Sequence, residues 1–325
     1  MADIFDLAAT NLLSPVILSF VLGLVAALGR SDLSVPEAAA KAMSIYLLFA
    51  IGFKGGAAVA SNGLDATLVA TLVAGFVLSA VLPFIAFAML RVLTNLSQID
   101  AAAVAGHYGS ISIVTFVAAT SVLEGRAISS EGYMVAVAAV MEAPAILSAL
   151  WLVSRGGSGR RMDSELMREI MLNGSIVLLV GAFVIGAITG QEGLDKVSNF
   201  IVAPFTGVLC LFLLDMGLVA GRGLRESRGV LNMGAVAFGI IMPLVGSVFG
   251  LGAGLLIGLS PGGIALLMVL SASASYIAVP AAMRVALPEA NPSVYLTLSL
   301  GVTFPFNLTI GIPLYVAVSQ AVTGG

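Results

Sequence analysis

The residues most able to do chemistry lie where chemistry is least expected. In SASASYIAVPAAMR (271–284), Ser271, Ser273 and Ser275 alternate with alanine inside a long apolar run, followed by Tyr276, Pro280 and Arg284. A second stretch, GHYGSISIVTF (106–116), repeats the device with Ser110 and Ser112 around Ile111, and Thr115 follows. On a helix, residues two apart point about 200° away from each other, whereas on extended backbone they share one side. Serines that bond back to their own helix are the plain alternative for either stretch alone. The same pattern in both halves of the chain favours unwound segments. Freed carbonyls and hydroxyls are hard oxygen ligands for a small cation such as sodium, and exposed amides at a helix start attract an anion.

Other polar residues in apolar surroundings extend this inventory. Glu142, two before Pro144, is a cation ligand, a proton carrier, or a group paired to a neighbouring helix. Asp215 poses the same choice. Thr303, Asn307 and Thr309 flank Pro305, which frees a carbonyl one turn back; their alternative is interhelical hydrogen bonding. His107 is the one histidine. A hydrolase reading fails because no G-x-S-x-G elbow surrounds these serines. No H-E-x-x-H, phosphate loop or cysteine pair is present, so no enzyme and no resident cofactor are expected, only sodium as a coupling ion.

The elements that must position these groups follow from composition. The 325 residues are 59% hydrophobic and 10% charged, with mean hydropathy +1.11. That leaves too little polar surface for a water-soluble domain and makes the chain an all-α polytopic protein of the lipid bilayer. A net charge of −3 gives no reason to expect nucleic acid. Cys210 is the single cysteine, which excludes a disulfide framework. MADIFDLAAT lacks a basic region ahead of an apolar core, so no cleaved signal peptide is expected.

Windows of about 20 residues give ten spans, near 12–29, 36–56, 65–91, 101–123, 132–154, 171–190, 197–221, 230–258, 262–288 and 293–320. The polar break 154–170 divides them five and five, giving halves 1–153 and 171–325. With both termini outside, Arg30, Lys41, Arg91, Arg155, Arg160, Arg161, Arg168, Arg222, Arg225, Arg228 and Arg284 lie inside, against Lys54, Arg126 and Lys196 outside. Halves of five spans must insert with opposite orientation if they are related. FAIGFKGG (49–56) answers LLDMGLVAG (213–221), pairing Gly52 with Gly217 and Gly56 with Gly221; Pro83 answers Pro243, and MEAPAI (141–146) answers TFPFNL (303–308). This predicts a five-plus-five inverted repeat with broken or crossing helices near the midplane. Gly246, Gly250, Gly254 and Gly258 form a close-packing stripe.

The stretch SASASYIAVPAAMRVALPEANPSVYLTLSLGVTFPFNLTIGIPLYVAVSQ (271–320) closely resembles the end of the sodium-dependent bicarbonate transporters. The likeness extends more loosely through SPVILSFVLGLVAALGRSDLSVPE (14–37) and YLLFAIGFKGGAAVA (46–60). It implies a gate domain (12–60 plus 171–224) and a core domain (65–153 plus 230–320) that moves against it. It implies sodium-coupled bicarbonate uptake across a bacterial inner membrane, a homotrimer, and a PII-like cytoplasmic regulator, for which Arg222, Arg225 and Arg228 are the basic contacts. Carried onto this chain, it places the anion at Ser110, Ile111, Ser112, Ala272, Ser273, Ala274 and Ser275. Sodium falls to Ser110, Thr115, Glu142, Ser271, Ser273, Thr303 and Asn307. Glu142 departs from the family pattern, which has aspartate there. The rival transport reading is a cation/proton antiporter using Glu142 and Asp215; the rival outside transport is a membrane scaffold or receptor.

Overall fold

A computed structural model describes residues 13–62, 65–154, 168, 172, 174–226, 233–276, 279–280, 283 and 287–324. Among them the chain is helical and contains no strand. Eight helices are long and apolar enough to cross a membrane, and Pro15–Leu28 and Pro261–Ala272 are shorter apolar helices. Each of the ten expected spans coincides with one of these segments at least in part. The expected linker, 154–170, lies outside the described residues apart from Ser154 and Arg168.

Four helices pair by close backbone approach. Helix α1 (Pro15–Leu28) starts at Ser14, whose hydroxyl accepts from the Ile17 amide, and Pro15 occupies the first turn, where it loses no bond. Helix α2 (Glu37–Asn62) packs along α8 (Gly174–Ile201), and α1 packs along α9 (Phe205–Glu226). Gly56 sits against the Phe183 carbonyl and the Ala187 amide, while Gly186 sits against Phe53 and Ala57. In the other pair, Gly217 sits against the Phe20 carbonyl and the Leu24 amide, while Gly23 sits against Leu214 and Leu218. A side chain at any of the four would run into backbone. Gly56 and Gly217 are seated alike, each against a carbonyl and an amide four residues apart on the facing helix, whereas the sequence pairs Gly52 with Gly217. Gly52 instead meets Leu179 and Ala182.

The sixth span also runs past its expected end. At Gly190 the backbone turns through φ 61°, ψ −153°, a conformation open to glycine, and helix resumes as far as Ile201. Residues 191–196 fall between two expected spans, yet their Glu192–Lys196 pair, 2.8 Å apart, lies at the four-residue spacing that suits a helix surface.

The remaining helices surround the broken ones. They are α3 (Ala66–Leu93), α4 (Gln98–Gly109), α5 (Ile113–Gly125), α6 (Met134–Val140), α7 (Glu142–Ser154), α10 (Met233–Ile257), α11 (Pro261–Ala272) and α12 (Pro292–Thr323). Helix α12 contains two π-helical stretches, Thr297–Thr303 and Asn307–Gly311, on either side of Pro305. Gly246, Gly250 and Gly254 bring α10 onto α11 at Ser271, Leu267 and Ile264. Gly258 does not continue the stripe: with φ 80° and open space around it, it ends α10.

Helices α4 and α11 are built alike. Each has twelve residues between serines. Ser97 accepts from the Asp100 amide and Ser260 from the Gly263 amide; Ser110 and Ser273 close the far ends in extended conformation. Each start is tied to the other half: Glu131 accepts from the Ser260 amide at 2.7 Å, and Asp100 accepts from the Asn291 amide at 2.8 Å. Both helices are thereby anchored at their starts to the opposite half of the chain.

Candidate functional site

The breaks meet inside the bundle. The first occupies Ser110–Ser112, between α4 and α5, and the second starts at Ser273, after α11. The Ser112 amide donates to Ser273 Oγ at 2.9 Å, and the Ser275 amide donates to the His107 carbonyl at 2.8 Å. Each break therefore satisfies backbone groups that the other would otherwise leave bare in an apolar interior. Ser110, Ile111, Ser112, Thr115, Ala272, Ser273, Ala274 and Ser275 are all at most 3% exposed.

The unwound stretch is shorter than its alternating serines suggest. Ser271 is still within α11, so only Ser273 and Ser275 lie on extended backbone. Ser273 Oγ also donates to the Leu270 carbonyl at 3.0 Å, and Ser275 Oγ accepts from the Val279 amide at 3.4 Å. Ser271 Oγ is buried without a partner. In the first half, Ser112 caps α5: its oxygen accepts from the Thr115 amide at 3.2 Å and from Thr115 Oγ1 at 2.9 Å.

Glu142 is joined to this crossing. Ser110 Oγ donates to its Oε2 at 2.6 Å, and the residue is 6% exposed. No cation from the described residues lies within ion-pair distance; the pairs found there are Lys54–Glu124 and Lys196–Glu192. Three or more His, Cys, Asp or Glu side chains gather nowhere among the described residues. One carboxylate among neutral hydroxyl and carbonyl oxygens is a ligand set that suits a hard cation better than a transition metal.

Asn307 belongs to the second half of the same arrangement. Its Nδ2 donates to the Ala272 carbonyl at 2.9 Å, and Tyr315 donates to its Oδ1 at 3.0 Å. Thr303 faces elsewhere. Its hydroxyl donates to the Gly239 carbonyl and meets the Tyr108 hydroxyl, both at 2.6 Å, holding α12 to α10 and α4. Thr309 bonds back to the Pro305 carbonyl. Asp215 is buried on α9 with Arg222 as its charged neighbour, and no bond links it to Glu142. Arg225 donates to the Ala27 carbonyl in the last turn of α1, and Arg222 donates to the Leu33 carbonyl in the connection that follows it. Arg228 and Arg284 lie outside the described residues.

Tyr276 stands beside the serine stretch 271–275 in the sequence, yet sequence reasoning gives no role to any aromatic hydroxyl. Tyr108, Tyr276 and Tyr315 are all buried about the crossing. Their signal was a polar tip on an apolar body within runs otherwise free of polar groups.

Cavities open on the face bearing Lys54 and Arg126. A cavity of about 300 Å³ lies between α2 and α5, and another of about 440 Å³ lies between α1, α5 and α12. Phe116, next to Thr115, lines the first. On the face bearing Arg222, about 270 Å³ opens between α9 and α12. The crossing residues line none of these three volumes.

A sealed crossing of two broken helices inside a polytopic helical bundle is the architecture of a secondary transporter. The chain belongs to the Na+-dependent bicarbonate transporter superfamily, whose family model matches residues 15–320. No curated protein matches it.

Proposed function

We propose that the protein moves bicarbonate into the cell together with sodium, holding both at the crossing of the two breaks. The observation that carries this reading is the reciprocal bonding of the breaks, Ser112 to Ser273 and Ser275 to His107. It leaves the start of α5, with its outward-pointing first-turn amides, facing the end of α11 in a dry interior. Such a helix start favours an anion through unpaired N–H groups and the positive end of the helix dipole. Sodium belongs beside Glu142 and Ser110, at the negative end of α4, with Thr115, Ser271, Ser273 and Asn307 as the remaining oxygens of the region. A cation next to the anion offsets its charge and lowers the cost of carrying either through an apolar interior.

The reading extends to the whole chain as two inverted halves. The matched glycine seats of α1·α9 and α2·α8, and the serine-capped twelve-residue helices α4 and α11, support it. Helices α1, α2, α8 and α9 then form the gate, and the rest form a core that shifts as a body in an elevator-like motion. Both termini lie outside the inner membrane.

Uptake of radiolabelled bicarbonate into liposomes, with and without an inward sodium gradient, tests this. Sodium-driven uptake that is lost in Ser273→Leu is the expected result. Wild-type protein that is folded and correctly inserted yet takes up no bicarbonate sinks the substrate assignment, while exchange of protons for sodium without bicarbonate would favour an antiporter.

A further inference from the structure

The crossing contains a proton with nowhere to go. A hydroxyl has one proton to donate and two lone pairs to accept with. Both lone pairs of Ser112 Oγ are taken, by the Thr115 amide and by Thr115 Oγ1. The Tyr276 hydroxyl is turned towards Ser112, yet it closes no hydrogen bond among the described residues. Tyr276 is 8% exposed, its hydroxyl is shielded from solvent, and its ring stands edge-on to Phe304 with centroids 5.2 Å apart. Ser112 cannot accept the phenolic proton, because its oxygen is already full. If Ser112 donates to Tyr276 instead, the tyrosine proton still lacks an acceptor. Two donors therefore face each other across the start of α5 with an acceptor missing between them.

Buried polar groups without partners are rare and mark a missing water, ion or ligand. Here the missing party must accept, and it lies where a helix start already favours negative charge. A water would supply lone pairs but no charge for the amides of α5; an oxyanion supplies both. We infer that the Tyr276 hydroxyl is a direct hydrogen-bond donor to the transported anion and helps to set which anion the crossing takes. A planar oxyanion can accept from the tyrosine on one oxygen and from the α5 amides on another, which a spherical halide does less well. The inference rests on the anion occupying the crossing, as proposed above. Phe304 carries the contact outward, for its ring stands edge-on to Phe20 of α1 at 5.2 Å. The orientation of Tyr276 is thereby braced by two bodies of helices rather than by a hydrogen bond.

The test is Tyr276→Phe, with Tyr108→Phe as a structural comparison. Full-length protein in liposomes is assayed for sodium-driven bicarbonate uptake, with formate, nitrate and chloride as competitors. Purified protein is followed by thermal unfolding with and without bicarbonate. A hydrogen bond to a charged group corresponds to about a ten- to hundredfold effect on binding. Tyr276→Phe should therefore raise the KM for bicarbonate about ten- to hundredfold, change the maximal rate less than twofold, and lose the stabilisation by bicarbonate. Its competition profile should move towards chloride. Tyr108→Phe, which removes a hydroxyl bonded to Thr303, should unfold at lower temperature while keeping its KM. A KM for Tyr276→Phe within about threefold of wild type overturns the inference and leaves the transport reading standing. A variant that fails to fold also overturns it, because removing an oxygen without a partner cannot unfold the protein. If the wild type neither transports nor is stabilised by any of these anions, both fall.

Discussion

Replacing Glu142 by glutamine removes one charge and almost nothing else. The amide oxygen keeps an acceptor for Ser110 Oγ, now 2.6 Å from Oε2, and the side chain keeps its volume in a site only 6% exposed. With sodium about 2.4 Å from a carboxylate oxygen, Coulomb's law at an effective dielectric constant of about 20 gives about 7 kcal/mol. Stripping water from the ion and the carboxylate takes back several kcal/mol, which leaves about 3–4 kcal/mol net. At about 1.4 kcal/mol per decade, the sodium concentration for half-maximal uptake should rise by two to three decades. The assay is a sodium titration of bicarbonate uptake in proteoliposomes at constant ionic strength, choline replacing sodium. Thermal unfolding in the same two salts gives a second reading: wild type should be stabilised by sodium and Glu142→Gln should not. Half-saturation shifted by less than about threefold would show that the carboxylate does not ligate sodium, and the electrostatic argument would be wrong.

Other expectations follow from single contacts. Ser273→Ala removes the acceptor of the Ser112 amide and should cost about 1–3 kcal/mol in thermal stability as well as transport; an unchanged unfolding temperature would refute the crossing bond. Lys54→Gln breaks an ion pair with Glu124 whose side chains are 31% and 59% exposed, so uptake should change by no more than about fivefold, and wild type and variant should converge at high salt. Gly56→Val and Gly217→Val each drive a branched side chain into backbone and should lower the yield of folded protein to a similar degree, by about 1–3 kcal/mol or more. Tolerance at one of the two would break the equivalence of the seats. Arg225→Ala frees the Ala27 carbonyl and should reduce stability by about 1 kcal/mol with no change in KM for the anion.

What the sequence disclosed and what it hid divide along physical lines. Composition and span length led directly to a polytopic helical bundle, because lipid leaves the backbone few options. The serines at 110–112 and 273–275 could be read because the same two-residue spacing of hydroxyls recurs in both halves of the chain. Ser271 misled, since its spacing was right but Leu270 and Ala272 hold it within α11. Sequence alone could not choose between Gly52 and Gly56 as the position that resembles Gly217, because glycines recur four apart in both pairs and only the backbone atoms they meet distinguish one turn from the next. Thr303 carries suitable chemistry, and its hydroxyl donates to Gly239 and meets Tyr108, contacts that no sequence pattern announces. No sequence pattern reports which way a side chain faces when every face of the helix is apolar.

The difference between the two halves of the crossing says more about coupling than their likeness does. The ends of α4 and α11 present the same groups, a closing serine and the last carbonyls of a twelve-residue helix. Against the first stands Glu142, bonded to Ser110; against the second stands Asn307, whose amide donates to the Ala272 carbonyl. The negative end of a helix attracts cations and repels a carboxylate. Glu142 is also the first residue of α7, whose positive end favours its charge, but the last carbonyls of α4 oppose it and a cation beside it would relieve that opposition, whereas the Asn307 amide satisfies its carbonyl with no ion at all. Tyr315 then occupies the remaining acceptor of Asn307. On this argument the first-half end gains from a cation and the second-half end is already content. Asn307→Asp should make the two ends alike: it keeps the size, adds a second charge, and sets a carboxylate against the Ala272 carbonyl. Uptake by that variant should become steeper in sodium, with a Hill coefficient above the wild-type value, at lower thermal stability in choline. A variant with the same sodium curve as wild type and unaltered stability would show that the asymmetry of the two ends has no part in coupling.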